Sequence, residues 1–139
     1  MAIQYALPPG TIVLCDYALG GFRPPEMVKK RPAIILSPRL PRRDGLCAVV
    51  PLSGSFDGHP VPYVVRVELT QQLPAPFPLT VFWAKCDMVA TVGFGRLDMF
   101  HTGRDQTGRR KYLRPSLTAE QLDQVRQGVS MGLGLVPIA

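Results

Sequence analysis

Three consecutive cations, Lys29, Lys30 and Arg31, stand directly before Pro32 and the apolar run Ala33–Leu36, and one carboxylate, Glu26, lies a few residues upstream. A charge beside a buried strand must reach back to water or find a partner. Pro32 removes a backbone donor and holds Arg31 to extended backbone, which places its guanidinium at a strand entrance with little freedom. A planar fork of donors presented in that way suits a phosphate. Glu26 is also close enough in sequence to pair with Arg31, so an ion pair that only pins a loop accounts for the pattern equally well.

Other basic residues gather in two further stretches. One is Arg39–Arg43. The other runs from His101 to Arg114 and holds Arg104, Arg109, Arg110, Lys111 and Arg114 against the single acid Asp105. The formal net charge of +6 favours an anionic partner. For any one stretch, a solvated surface explains the charges as well as a binding surface does. Cys15, Cys47 and Cys86 each sit alone in an apolar run, as small buried hydrophobes do. No C-x-x-C occurs, and His59 and His101 have no ligand at metal spacing, so no metal site and no cofactor are expected.

The elements that must carry these charges read as short strands. The segments 11–18, 32–37, 46–52, 64–69 and 79–86 are β-rich, and 87–94 continues the last of them. Residues 32–37 and 46–52 are unbroken apolar runs, which suits strands covered on both faces. In 64–69, Val65, Val67 and Leu69 alternate with Arg66 and Glu68, the mark of a half-buried strand. Turn residues separate the strands at short intervals, which predicts a small antiparallel barrel or sandwich. Near residue 118 the period changes. Thr118 and Gln121 form a capping-box pair, and Leu122, Val125, Val129 and Leu133 make one stripe of a C-terminal helix. Gly128 and Gly132 weaken that helix but permit close approach of a neighbour. The 139 residues suit one domain, 1–139. No run is apolar enough to cross a bilayer, and MAIQYALPPG lacks the features of a signal peptide, so a soluble cytoplasmic protein is expected.

Four blocks follow one another: G-x-I-V-x-x-D-Y from Gly10, R-P-A-x-x-L-S-P from Arg31, V-V-P-L-S from Val49 and K-C-D-x-V from Lys85. In that order, from about Pro9 to about Leu135, the chain resembles the MazF/PemK (Kid/CcdB-like) toxins of bacterial type II toxin–antitoxin systems. The resemblance implies an SH3-like antiparallel β-barrel with a C-terminal α-helix, mainly β, and a homodimer. It also implies metal-independent cleavage of single-stranded RNA and inhibition by a small antitoxin protein. Arg31 stands at the family's arginine before the proline, and Glu26 at the acid of the preceding loop. Ser53 stands where many members carry threonine, Asp87 at the aspartate PemK-like members use, and Lys85 at the arginine two residues before it. Pro25 departs from the histidine that some members carry there, Lys85 offers a point charge in place of a fork, and the basic stretch around 101–115 is longer than in short members.

Metal-free RNA cleavage uses the substrate's 2′-hydroxyl as nucleophile and leaves a 2′,3′-cyclic phosphate and a 5′-hydroxyl. On this reading Asp87 is the general base, Arg31 stabilises the phosphorane, Lys85 is a second clamp or the acid, and Ser53 binds a phosphate oxygen. A base working near neutral pH is expected to be buried. Arg23, Lys29, Lys30, Arg39, Arg109 and Arg110 of the three basic stretches contact RNA, with Glu26 and His59, the last as a proton shuttle or an exposed loop residue. Phe82 and Trp83 compete for the core, and whichever faces out could stack a base; core or dimer contact is the default for Trp83. Two other readings stand beside this one: a weak or inactive relative that binds RNA or an antitoxin without cutting, and a gyrase-poisoning relative, which the loop charges disfavour.

Overall fold

A computed structural model describes residues 2–137. The strands are β1 (Ile12–Asp16), β2 (Lys30–Ile35), β3 (Leu46–Ser53), β4 (Val64–Glu68), β5 (Val81–Lys85), β6 (Ala90–Gly93), β7 (Leu97–Asp98), β8 (Phe100–Arg104) and β9 (Arg110–Leu113), followed by the helix α1 (Ala119–Gly132). The fold is mainly β with antiparallel pairing and a C-terminal helix, as expected. Seven strands form one sheet in the order β4-β5-β3-β2-β1-β7, and β6 also pairs with β3. Among the described residues the ladder stays open between β4 and β7, so no hydrogen bonds there close the barrel.

The eight-residue β3 is the pivot. Its first half pairs with β6 (Leu46↔Gly93 to Val49↔Ala90), and its last two residues pair with β5 (Leu52↔Ala84, Ser53↔Trp83). Strands β5 and β6 therefore run in succession along β3, and a 3₁₀ turn over Cys86–Met88 makes the corner between them. That corner carries Asp87.

The unbroken apolar runs do form strands covered on both faces. One face of β1–β3 presents Ile12, Ile34, Val50 and Leu52 to a core that also holds Phe82, Ala84, Val67 and Val125. The other presents Val13, Cys15, Ala33, Ile35, Cys47 and Val49, packed with Tyr17, Val92 and Leu97. The three thiols are free and buried, and burial pushes Cys15 and Cys47 up to about 11 and Cys86 to about 12.

The capping box is formed in both directions: Gln121 N donates to Thr118 Oγ1 at 3.1 Å and Thr118 N to Gln121 Oε1 at 3.0 Å. Val125 and Val129 are buried as the stripe requires, but Leu133 is the C-cap residue and is 56% exposed. The stripe ends where the helix does. Both glycines serve close approach. A Cβ on Gly128 would lie 2.8 Å from Cys86 Sγ, and one on Gly132 would lie 3.1 Å from Asp87 Cα. The helix thus seats directly on the corner that carries Asp87. Gly128→Ala gains about 1 kcal/mol of helix propensity but overpacks a buried contact, at a cost of about 1–3 kcal/mol. The expected outcome is a net stability loss of about 1 kcal/mol; a stabilised variant in denaturant unfolding would mean that the groove under α1 can open.

Candidate active site

Arg31 lies inside β2, one residue past its start, and not at the strand entrance as the sequence argument had it. It pairs across the ladder with Cys15, as Lys30 does with Asp16. Extended backbone continues through the cations because β1 offers them ladder partners. Alternation then sends neighbours to opposite faces. Arg31 shares the face of Ala33, Ile35 and Cys15, whereas Lys30 shares the face of Ile34 and Leu14.

The ion pair between Glu26 and Arg31 does not form among the described residues. Glu26 Oε2 instead accepts from the backbone N–H of Arg23 at 2.9 Å and closes its own loop. The Nε of Arg31 is buried without a partner. Tyr17, two residues from Cys15 on the same face, is likewise buried, with its hydroxyl unpaired. The Cys15 thiol lies beside it without a hydrogen bond of ordinary geometry, and burial drives the phenol's pKa well above its usual range. Two polar groups without partners on one face of the sheet are costly to keep.

Beside Tyr17 opens a cavity of about 520 Å³, lined by Tyr17, Phe22, Glu26, Met27, Asp87 and Val89 among others; Arg31 is not one of its lining residues. Its walls are mostly apolar, and it holds two carboxylates, Glu26 and Asp87. Both are exposed, so Asp87 does not have the buried setting the sequence argument asked of a base.

The remaining predicted residues divide. Ser53 is buried, pairs with Trp83, and gives its hydroxyl to Ser55 O at 2.9 Å, ordinary turn chemistry for Ser53–Ser55. Lys85 is half-buried, with Nζ 4.5 Å from the centre of the Phe56 ring. Phe82 takes the core position, while Trp83 is half-buried on the outer face, its ring 5.7 Å from that of Phe56. The core alternative for Trp83 is therefore corrected, and its outer-face position leaves the dimer-contact alternative: Ser53 lies across the ladder from it, and Ser53 is on the side of Arg31. His59 is exposed on the loop that carries Phe56, and Arg23 and Lys29 are exposed on the loop bordering the cavity.

The three basic stretches do not make one trough. Arg39 is exposed beyond the C-terminal end of β2, at least roughly 13 Å of strand away from Arg31. The stretch from 101 onward is not a loop but the hairpin β8–β9, and Arg109 and Arg110 are exposed on it. Among the described residues no three His, Cys, Asp or Glu side chains cluster as metal ligands do.

Sequence reasoning missed Arg96. Its guanidinium donates to Asp16 O at the end of β1 at 3.1 Å and to two carbonyls of the β1–β2 loop, Leu19 O at 2.5 Å and Gly20 O at 2.7 Å, and lies 4.7 Å over the Phe22 ring. Phe22 in turn meets Tyr17 edge-on at 5.6 Å. Arg96 therefore fixes one wall of the cavity. Nothing local marks it, because its acceptors lie 76 to 80 residues away in the chain. Loss of these charge-assisted bonds in Arg96→Ala is expected to speed amide exchange over residues 18–22 by at least about tenfold, equivalent to about 1.4 kcal/mol, while the core strands keep their protection. Unchanged exchange there would remove Arg96 from this role.

Comparison with known proteins places these features. A family model described as "PemK-like, MazF-like toxin of type II toxin-antitoxin system" matches residues 9–131. The uncharacterized protein YifN of Escherichia coli (strain K12) is 25% identical, over 99% of each chain. Among solved structures, a mycobacterial endoribonuclease in complex with its cognate antitoxin is similar at a TM-score of 0.60 and 20% identity, covering 95% of this chain and 99% of that one. MazF from Deinococcus radiodurans is similar at 0.60 and 21%, covering 94% and 98%.

Proposed function

The chain belongs to the PemK-like, MazF-like toxin family of type II toxin–antitoxin systems, and on that premise we propose that it is an endoribonuclease toxin, a single domain that cuts single-stranded RNA without a metal ion. The observation that carries the reading is Arg31: a guanidinium placed by the β1–β2 ladder, without a protein partner among the described residues, on the side of the sheet where Asp87 and Glu26 line a cavity. In the reaction the 2′-hydroxyl attacks the adjacent phosphorus and the P–O5′ bond breaks, giving a 2′,3′-cyclic phosphate and a 5′-hydroxyl. Asp87 takes the 2′ proton. Arg31 neutralises the phosphorane. Lys85, held against Phe56, is the second clamp or the acid that protonates the leaving 5′ oxygen. Ser53 exchanges Ser55 O for a phosphate oxygen when RNA arrives.

A homodimer is the proposed working form. The proposed inhibitor is a small antitoxin covering the same face, as the mycobacterial relative is described in complex with its own. The direct test is incubation with single-stranded RNA in EDTA. Fragments with 2′,3′-cyclic phosphate ends are the expected product. One reading competes on specific observations: the exposure of Asp87 and the internal bond of Ser53 favour a relative that binds RNA without cutting. Retained binding with no fragments would establish that reading instead.

A further inference from the structure

The β8–β9 hairpin is built to be charged. Phe100 anchors its base in the core, and every residue from His101 to Arg114 is exposed. Its one acid stands against Arg104, Arg109, Arg110 and Lys111. Asp105 Oδ1 accepts from Thr107 N at 2.8 Å, Thr107 Oγ1 at 2.6 Å and Arg109 N at 3.0 Å, so that carboxylate is used in closing the turn. Arg104 lies directly opposite Arg110 across the ladder. Like charges in that position oppose hairpin formation, and a two-stranded hairpin has little stability to lose. An anion between the two guanidinium groups reverses the sign of that term. On the same face as Arg110, two residues along β9, Tyr112 pairs with His101, ring centres 6.3 Å apart.

The hairpin does not stand far from the domain. A cleft of about 160 Å³ at its base is lined by Leu14, Lys30, Pro76, Phe77, His101 and Arg110, among others. That is comparable to the about 150 Å³ that accommodates a benzene ring, and its polar lining is Lys30, His101 and Arg110 together with one carboxylate, Asp98. The cleft belongs to the Lys30 face of β2, opposite the Arg31 face.

We propose that the hairpin is a second RNA-contacting arm, which holds single-stranded RNA outside the cleavage site, seats a phosphate between Arg104 and Arg110, and takes a base into the cleft beside His101 and Phe77. It rests on the reading of RNA as substrate. Lys30 and Arg31, adjacent in sequence, then serve two different stretches of one RNA strand.

The test uses the full chain and a 2′-O-methyl single-stranded RNA of about 20 nucleotides, which binds but lacks the attacking hydroxyl, beside a hexamer. Arg110→Ala is the first variant, because Arg110 makes no side-chain bond within the hairpin; Arg104→Ala also removes a bond to Gly108 O at 2.8 Å, so the double variant is second. Each lost phosphate contact is expected to reduce the slope of log K against log salt by about 0.7. Affinity for the long RNA should fall several-fold per variant, with hexamer binding unchanged. Parent-like affinity and slope on the long RNA in both variants would overturn the arm while leaving the nuclease reading intact. Loss of binding to polyglutamate without loss to RNA would overturn it in favour of an acidic protein partner. A parent that binds neither RNA overturns both readings, and one that binds these RNAs but leaves the same sequence with free 2′-hydroxyls uncut overturns only the nuclease.

Discussion

Arg31→Ala is expected to cut RNA about 100- to 1,000-fold more slowly than the parent, with its unfolding midpoint unchanged or slightly raised. Removing one preorganised donor aimed at developing charge costs about 2.7–4 kcal/mol of barrier, which gives the rate effect. The stability effect has the opposite sign for a structural reason. Arg31 Nε is buried with no partner, so alanine deletes an unsatisfied polar atom and breaks no bond of the fold. A residue that only held the fold would lose both. Arg31→Lys separates charge from geometry: the cation is kept and the fork is lost, and an intermediate rate is expected. Single-turnover cleavage and thermal unfolding on the same samples check the pair of outcomes. Parent-like cleavage by the alanine variant would take the phosphorane away from Arg31.

Asp87→Asn is the second large effect. A positioned general base contributes about 100- to 10,000-fold, and asparagine keeps the shape while removing the proton acceptor. The expected result is a rate loss in that range together with loss of the acidic limb of the pH–rate profile. Glu26 supplies the control, since it lines the same cavity and is also exposed. In Glu26→Gln the remaining amide oxygen still accepts from Arg23 N, so the loop keeps its closure and the rate is expected to change little. If the two variants exchange behaviour, the base is Glu26. If neither moves the pH profile, the proton leaves by another route.

Asp87 also shows why the site was only partly legible. That an acid follows K-C at the end of a strand was plain from the chain, and so was the pair of glycines in α1. What was not plain is that these glycines let α1 press onto the Asp87 backbone, because Gly132 and Asp87 are far apart in sequence. Arg96 was invisible for the same reason. Trp83 and Phe82 presented a binary choice that alternation could pose but not answer, until pairing with Ser53 set the register. The basic stretch 101–114 read as a loop because its side chains are polar as far as Lys111. It is a hairpin because Asp105 and Gly108, at φ 83°, close a tight turn and Phe100 anchors its base in the core.

By itself the sequence determined the parts whose physics is local: the strands, from apolar runs and two-residue alternation; the helix and its first turn, from Thr118 and Gln121; and the burial of three isolated cysteines. Tertiary structure alone decided which charges work together. One residue of strand register puts Arg31 on the face of Cys15 and Tyr17 and Lys30 with the hairpin, and leaves Arg39 beyond the far end of β2. Such choices depend on contacts between segments distant in the chain, whose strength comes from packing and not from the preferences of neighbouring residues.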